Sequence, residues 1–402
     1  MSLNNQQNNK QCLGLEKTVL VDKGGAHTAA EITQQPEVWK EVLSLVTERR
    51  EQIAQFLGPL LKQKDLRIIL TGAGTSAFIG KCLAPIMVNT VQHRVEAIPT
   101  TDLVAGPGLY FQPDVPTLMV SFARSGSSPE SLAAVNLANS LCNSIHHIIF
   151  TCNEEGELFL SSRSKKNVLT LLLPHKTHDR GFAMTSSFTS MLYSASLVFG
   201  LVSASQKNGQ AMSLAAADVI ERALPLIQTL VRRQFKRVVY LGSNELRGLA
   251  EEAALKLLEL TDGQIVASYD SPLGFRHGPK TIVNDQTLVV LFLSNHAYTR
   301  QYDLDLLREL QLDGKAGQVV ALSAHNDLEE NANYFQITGM TEANNLELAL
   351  PYIVFAQIFA FWESLTLGIT PDSPSVSGTV NRVVQGVNIY PLLNEAAHVS
   401  GR

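Results

Sequence analysis

The chain has 402 residues, 45% of them hydrophobic, and a formal net charge of -5. That length supports two or three domains around a large core, and with no run of Lys and Arg it argues against a nucleic-acid surface while leaving room for a small basic pocket for an anion. Cys12, Cys82, Cys142 and Cys152 show no C-x-x-C spacing and read as core thiols of a reducing, cytoplasmic compartment.

The opening "MSLNNQQNNKQ" lacks the basic-then-apolar order of a signal peptide, and residues 1–35 read as a polar leader. Residues 36–57 carry Val38, Val42, Leu45, Val46, Ile53 and Phe56 at helical spacing, with Pro36 placed to open the first turn. Short β-branched runs then alternate with helix-length stretches: "LRIILTG", "RVEAIP", "TLMVSFA", "HHIIFTC" and "NVLTLLL". Such alternation predicts a parallel α/β sheet. A second set, "KRVVYLG", "QIVASYD", "QTLVVLFLS", "GQVVALSA" and "YFQITG", follows at an offset of about 170 residues. The chain therefore divides into two homologous α/β halves, 36–210 and 211–375, with a tail over 376–402. Within the second half "LALPYIVFAQIFAFW" (348–362), interrupted by Pro351 and Gln357, is shorter than a membrane span and reads as a buried helix.

"LTGAGTSAF" places Gly74, Thr75 and Ser76 between a strand and a helix, where glycines admit an anion and hydroxyls add donors at the positive helix end. The letters also fit G-x-G-x-x-A, but a nicotinamide site wants an acid at the end of the next strand. Glu96 instead falls inside "RVEAIP". A Walker loop is excluded because Lys81 is followed by Cys82. "FARSGSSPES" again follows a strand. Ser127 or Ser128 can cap the next helix with Pro129 at its first position, but four serines with Arg124 exceed what capping requires. Arg124, Ser125, Ser127 and Ser128 suit a phosphate monoester, whose terminal oxygens need several donors and gain from a guanidinium. "HKTHD" (175–179) has a superficial metal look without a third ligand nearby, so no metal site is assigned.

In "EEAALKLLEL" (251–260), Glu252, Lys256 and Glu259 share one stripe of a mostly apolar helix. The stripe is either a solvated face with a Glu–Lys i,i+4 pair, or a base, a cation and a second carboxylate aimed into a pocket. "SPLGFRHGPK" sets His277 in a turn-rich segment, where a lone histidine is more often structural than catalytic.

Taken together, "GAGTS", "ARSGSS", "EEAALKLLEL" and "FRHGP" resemble the tandem sugar isomerase (SIS) domain family, which includes the isomerase half of glucosamine-6-phosphate synthase, over roughly residues 36–395. "GFAMTSSF", "DSPLGFRHGPK" and "PDSPSVSGTVNRVVQGV" are most similar to its AgaS-type branch, galactosamine-6-phosphate deaminases/isomerases also called tagatose-6-phosphate ketose/aldose isomerases. The resemblance implies two tandem α/β SIS domains, each a three-layer α/β/α sandwich, and an amino-sugar phosphate substrate, with no metal or redox cofactor. It makes Ser76, Ser125 and Ser128 phosphate ligands, and Arg124 stands where the synthase has glutamine. Glu259 becomes the base between C1 and C2, with its pKa raised by desolvation. Lys256 and Glu252 support the developing charge, and His277 assists ring opening, reaching across from a second subunit of a homodimer. The glutaminase half is missing, Gly274 replaces a glutamate, and the synthase's near-C-terminal lysine aligns near Thr379, so no lid like the synthase's is expected. A ketose/aldose isomerase without deamination and a non-catalytic sugar-phosphate sensor are the alternatives.

Overall fold

The ten apolar runs all become strands in the computed structural model, which describes residues 11–328, 333–384 and 386–392. In the first half these are β1 (Arg67–Thr71), β2 (Arg94–Ala97), β3 (Thr117–Ala123), β4 (Ile145–Thr151) and β5 (Val168–Leu172). In the second they are β6 (Arg237–Gly242), β7 (Val266–Asp270), β8 (Thr287–Phe292), β9 (Gln318–Ser323) and β10 (Tyr334–Gln336). The central strands β1, β3 and β8 are buried along their whole length, as strands with helices on both faces must be.

Each half forms a five-stranded parallel sheet, in the orders β2-β1-β3-β4-β5 and β10-β9-β8-β6-β7. Read from the second-formed strand, the two orders are the same. The register repeats as well: Arg67 lies opposite Thr117 and Arg237 opposite Thr287, so corresponding residues sit 170 positions apart. In such sheets a ligand crevice opens at the carboxyl ends of the strands where the order reverses, here between β1 and β3 and between β6 and β8.

One hydrophobic cluster runs through both halves, joining Ile68, Leu70 and Val120 to Val238, Leu257 and Tyr352, while smaller clusters fill the outer face of each sheet. The helices Thr75–Val91 and Glu245–Leu260, equivalent by the repeat, pack against each other across the boundary. Gly248 permits this: a Cβ there would stand 2.7 Å from the Cys82 backbone nitrogen.

Three expectations need correction. The supposed leader joins the core from Leu13 onward, and the first long helix is Ala26–Glu48, with Pro36 in its interior. Proline removes the N–H that would serve the Ile32 carbonyl, and the Gln35 side-chain amide bonds to that carbonyl instead, at 3.0 Å. The first ten residues lie outside the described chain. Second, the boundary placed at 210/211 falls inside the helix Gln206–Arg222, within the helical stretch that bridges the halves. Third, Pro351 does not interrupt its helix, which runs Asn345–Thr366 from a capping box in which Asn344 and Glu347 exchange side-chain and backbone bonds. That helix is long and apolar enough to span a membrane, yet it is buried among the helices of both halves.

Candidate active site

Two loops meet at the β1/β3 crevice. After β1, Gly74 turns at φ +54, with open space where a side chain would project, and the helix begins at Thr75. This is the exposed-backbone geometry that receives an anion. Among the described residues, the Ser76 hydroxyl reaches only the Met184 sulfur, at 3.9 Å.

After β3, Ser128 caps the helix Pro129–Leu141 by accepting from the Ser131 N–H, with Pro129 at the first position. Ser127 turns away, its hydroxyl accepting from the Glu157 N–H at 3.2 Å, while the Ser125 hydroxyl accepts a long bond of 3.4 Å from the Ser127 N–H. Arg124 is 7% exposed and donates to two carbonyls, Phe182 at 3.2 Å and Arg382 at 2.6 Å. Its guanidinium is thus held beside the loop by backbone from the first half and from the tail.

At the equivalent crevice of the second half the backbone repeats, with Asn244 at φ +53, but the chemistry does not. Glu245 and Leu246 stand 170 residues after Thr75 and Ser76. The nearby hydroxyls are spent: Ser243 donates to Asp303 at 2.5 Å and Ser294 to Asn345 at 3.1 Å. A carboxylate at the helix start and committed hydroxyls disfavour phosphate there. Glu96, the residue weighed for a ribose, is paired with Arg67 and Arg94.

The stripe on Glu245–Leu260 faces inward and not into solvent. Glu252 and Lys256 are fully buried, and the Glu259 side chain is 23% exposed. The Lys256 ammonium makes a short ion pair with Glu259, lies 3.5 Å from Glu252, and donates to the Thr75 hydroxyl at 3.0 Å. That last bond joins the anion loop of one half to the charged helix of the other. Burial opposes the ammonium, but the Glu252 and Glu259 carboxylates outweigh it and hold Lys256 above its ordinary value.

Burial pushes the Glu252 carboxyl up, to about 8, with Lys256 opposing the shift and Glu259 adding to it. Because the folded value lies above the ordinary 4.5, this group's contribution to stability is present at acid pH and is lost as pH rises through about 8. The melting temperature of Glu252→Gln is therefore expected to gain on the wild type steadily from about pH 5 to about pH 9, as read by calorimetry. A constant difference across that range would place the proton elsewhere.

His277 is exposed in the turn after the short helix Pro272–Phe275. Its neighbours pin the turn to the helix Ala297–Asp313 through Arg276–Glu309 at 2.8 Å and Lys280–Asp313 at 2.5 Å. Among the described residues, no hydrogen bond or ion pair joins the His277 side chain to Glu252, Lys256 or Glu259. The chain alone does not complete the expected set.

Sequence reasoning missed the supports. Asp179, in the loop weighed for a metal, caps the helix Ser186–Val198 by accepting from the N–H groups of Thr185, Ser186 and Ser187. Arg382, from the tail, donates to the carbonyls of Asp179 and Gly181, and so lays the tail along the Arg124 side of the site. Only the capping preference of Asp gave a local signal; a tail contact across 203 residues gives none.

Fold and site define a doubly wound tandem α/β protein in which a hydroxyl-rich loop at one switch point meets a buried, charged helix from the other half. Residues 60–200 match the SIS domain. Over 376 residues the chain is 47% identical to D-galactosamine-6-phosphate deaminase AgaS of Escherichia coli, covering 91% of this chain and 96% of that protein. The crystal structure of tagatose-6-phosphate ketose/aldose isomerase from Escherichia coli matches with a TM-score of 0.86 at 43% identity, covering 91% of this chain and 97% of that one. A crystal structure from Clostridium novyi NT matches with a TM-score of 0.92 at 41% identity, over 95% of this chain and all (100%) of the other. The chain belongs to the SIS-domain family, in its AgaS group.

Proposed function

We propose that this chain is a sugar-phosphate isomerase that also deaminates, converting galactosamine 6-phosphate to tagatose 6-phosphate and ammonia. The observation that carries the reading is the Lys256–Thr75 bond, which sets a buried carboxyl–ammonium–carboxylate array directly against a hydroxyl-lined anion loop. The names of the relatives support the substrate class.

In this reading Ser76, Ser125 and Ser128, with the backbone at Gly74 and Thr75, hold the phosphate at the helix ends, and Arg124 adds positive charge. Glu259, the partly exposed carboxylate of the array, takes the C2 proton of the open-chain sugar. Lys256 stabilises the enaminol as charge develops at O1. Return of the proton to C1 leaves a C2 imine, and addition of water to that carbon releases ammonia and forms the ketone.

Galactosamine 6-phosphate incubated with the protein, without glutamine, is expected to yield ammonia and ketose phosphate in equal amounts. In deuterated water the ketose carries deuterium at C1 to the extent that the base exchanges its proton with solvent. Interconversion of tagatose 6-phosphate and its aldose without ammonia from any hexosamine 6-phosphate would replace this reading with plain isomerisation. Neither reaction, with a melting temperature still raised by sugar phosphates, would make the protein a sensor.

A further inference from the structure

An ammonium has three N–H donors, and one that is fully buried needs an acceptor for each. Around Lys256 there are three polar neighbours among the described residues: Glu259 and the Thr75 hydroxyl at 3.0 Å accept from it, and Glu252 lies 3.5 Å away at ion-pair distance without a hydrogen bond. The two carboxyl groups belong to its own helix. The hydroxyl is neutral and comes from the other half of the chain, from a residue 3% exposed.

Thr75 has two distinct sides. It is the first residue of its helix, directly after the open turn at Gly74, and no backbone acceptor takes its N–H among the described residues. The backbone is therefore available to the anion cradle. The hydroxyl points the other way, onto Lys256.

We propose that the Thr75 hydroxyl is a positioning group for Lys256 and not a phosphate ligand: it holds the ammonium between its two carboxyl groups and ties that placement to the loop that receives the phosphate. This rests on the isomerase/deaminase reading of the site. Without the hydroxyl, the ammonium keeps its ion pair with Glu259 and loses the one partner outside its own helix. It is then no longer fixed against the loop and can shift from the position where charge develops on the substrate. Such a loss falls on turnover, because the phosphate contacts are untouched.

Thr75→Val keeps the side-chain shape and removes the hydroxyl, and Thr75→Ser restores it. Thr75→Val is expected to lower kcat roughly 10- to 100-fold while KM stays within about twofold, with Thr75→Ser recovering most of the loss. Ser125→Ala, the comparator, is expected to raise KM instead. A second measurement requires no turnover: in protein carrying 15N at the lysine side chains, the Lys256 ammonium protons are expected to exchange with solvent roughly 10-fold faster in Thr75→Val than in wild type or Thr75→Ser. A raised KM with kcat and exchange both at the wild-type level would make the hydroxyl a phosphate ligand and overturn the proposal. Unchanged kcat, KM and exchange would reduce it to packing. If the wild type turned over no hexosamine phosphate, the functional reading would fail, and the exchange measurement would still decide whether Thr75 holds the lysine.

Discussion

Glu259→Gln is expected to fold normally and to lose roughly 10²- to 10⁴-fold in turnover, the usual worth of a general base. The fold should survive because the change does not strand Lys256. Glu252 remains 3.5 Å away, and with the Glu259 charge gone its carboxyl is released from the group that helped push it to about 8. Glu252 then ionises more readily and becomes the partner of the buried ammonium. Glu252→Gln should cost much less turnover, since at neutral pH it exchanges a protonated carboxyl for an amide of nearly the same shape. Steady-state kinetics of the two variants decide the assignment. Wild-type turnover in Glu259→Gln removes Glu259 from the mechanism, and a larger loss in Glu252→Gln exchanges the two roles.

That asymmetry between two glutamates marks where sequence reasoning ran out. The stripe Glu252, Lys256 and Glu259 was visible in the spacing, and so was the principle that burial raises a carboxyl pKa. Which carboxyl is buried depends on the crossing of two helices from different halves, set by Gly248 against Cys82, and no local pattern encodes it. The sheets were legible for the opposite reason. Parallel strands covered on both faces, such as β1, β3 and β8, must be continuous apolar runs, and the repeat spacing extended the reading to their edge partners and foretold the shared register.

Local rules failed where tertiary contacts overrode them. Pro36 looked like a helix start, yet Gln35 serves the carbonyl that proline abandons and the helix continues through it. Ser127 resembled its neighbours in a hydroxyl-rich loop, but its hydroxyl is taken by the start of the Glu157–Ser162 helix. Composition showed a phosphate-type loop; which hydroxyls remain free is a question of neighbours.

Co-expression of Glu259→Gln and His277→Ala chains, each inactive on the cyclic substrate when alone, is expected to recover about one quarter of wild-type activity. The expectation follows from His277 being exposed on a turn anchored to the far helix of its own half, with none of the charged array as its partner in the same chain. If the site borrows this imidazole from a second copy, a closed dimer holds two sites, each made of one chain's Glu259 and the other's His277. Random pairing makes about half of the dimers mixed, and each mixed dimer has one site with both residues intact and one with neither, giving the quarter. If His277 instead acted within its own chain, every site in a mixed dimer would lack one group and nothing would be recovered. The measurement is specific activity of doubly tagged, tandem-purified heterodimer, in which the intact fraction rises to about one half. Failure to recover activity, with both chains folded and paired, would place the action of His277 within its own chain; full activity in His277→Ala alone would remove it from ring opening altogether.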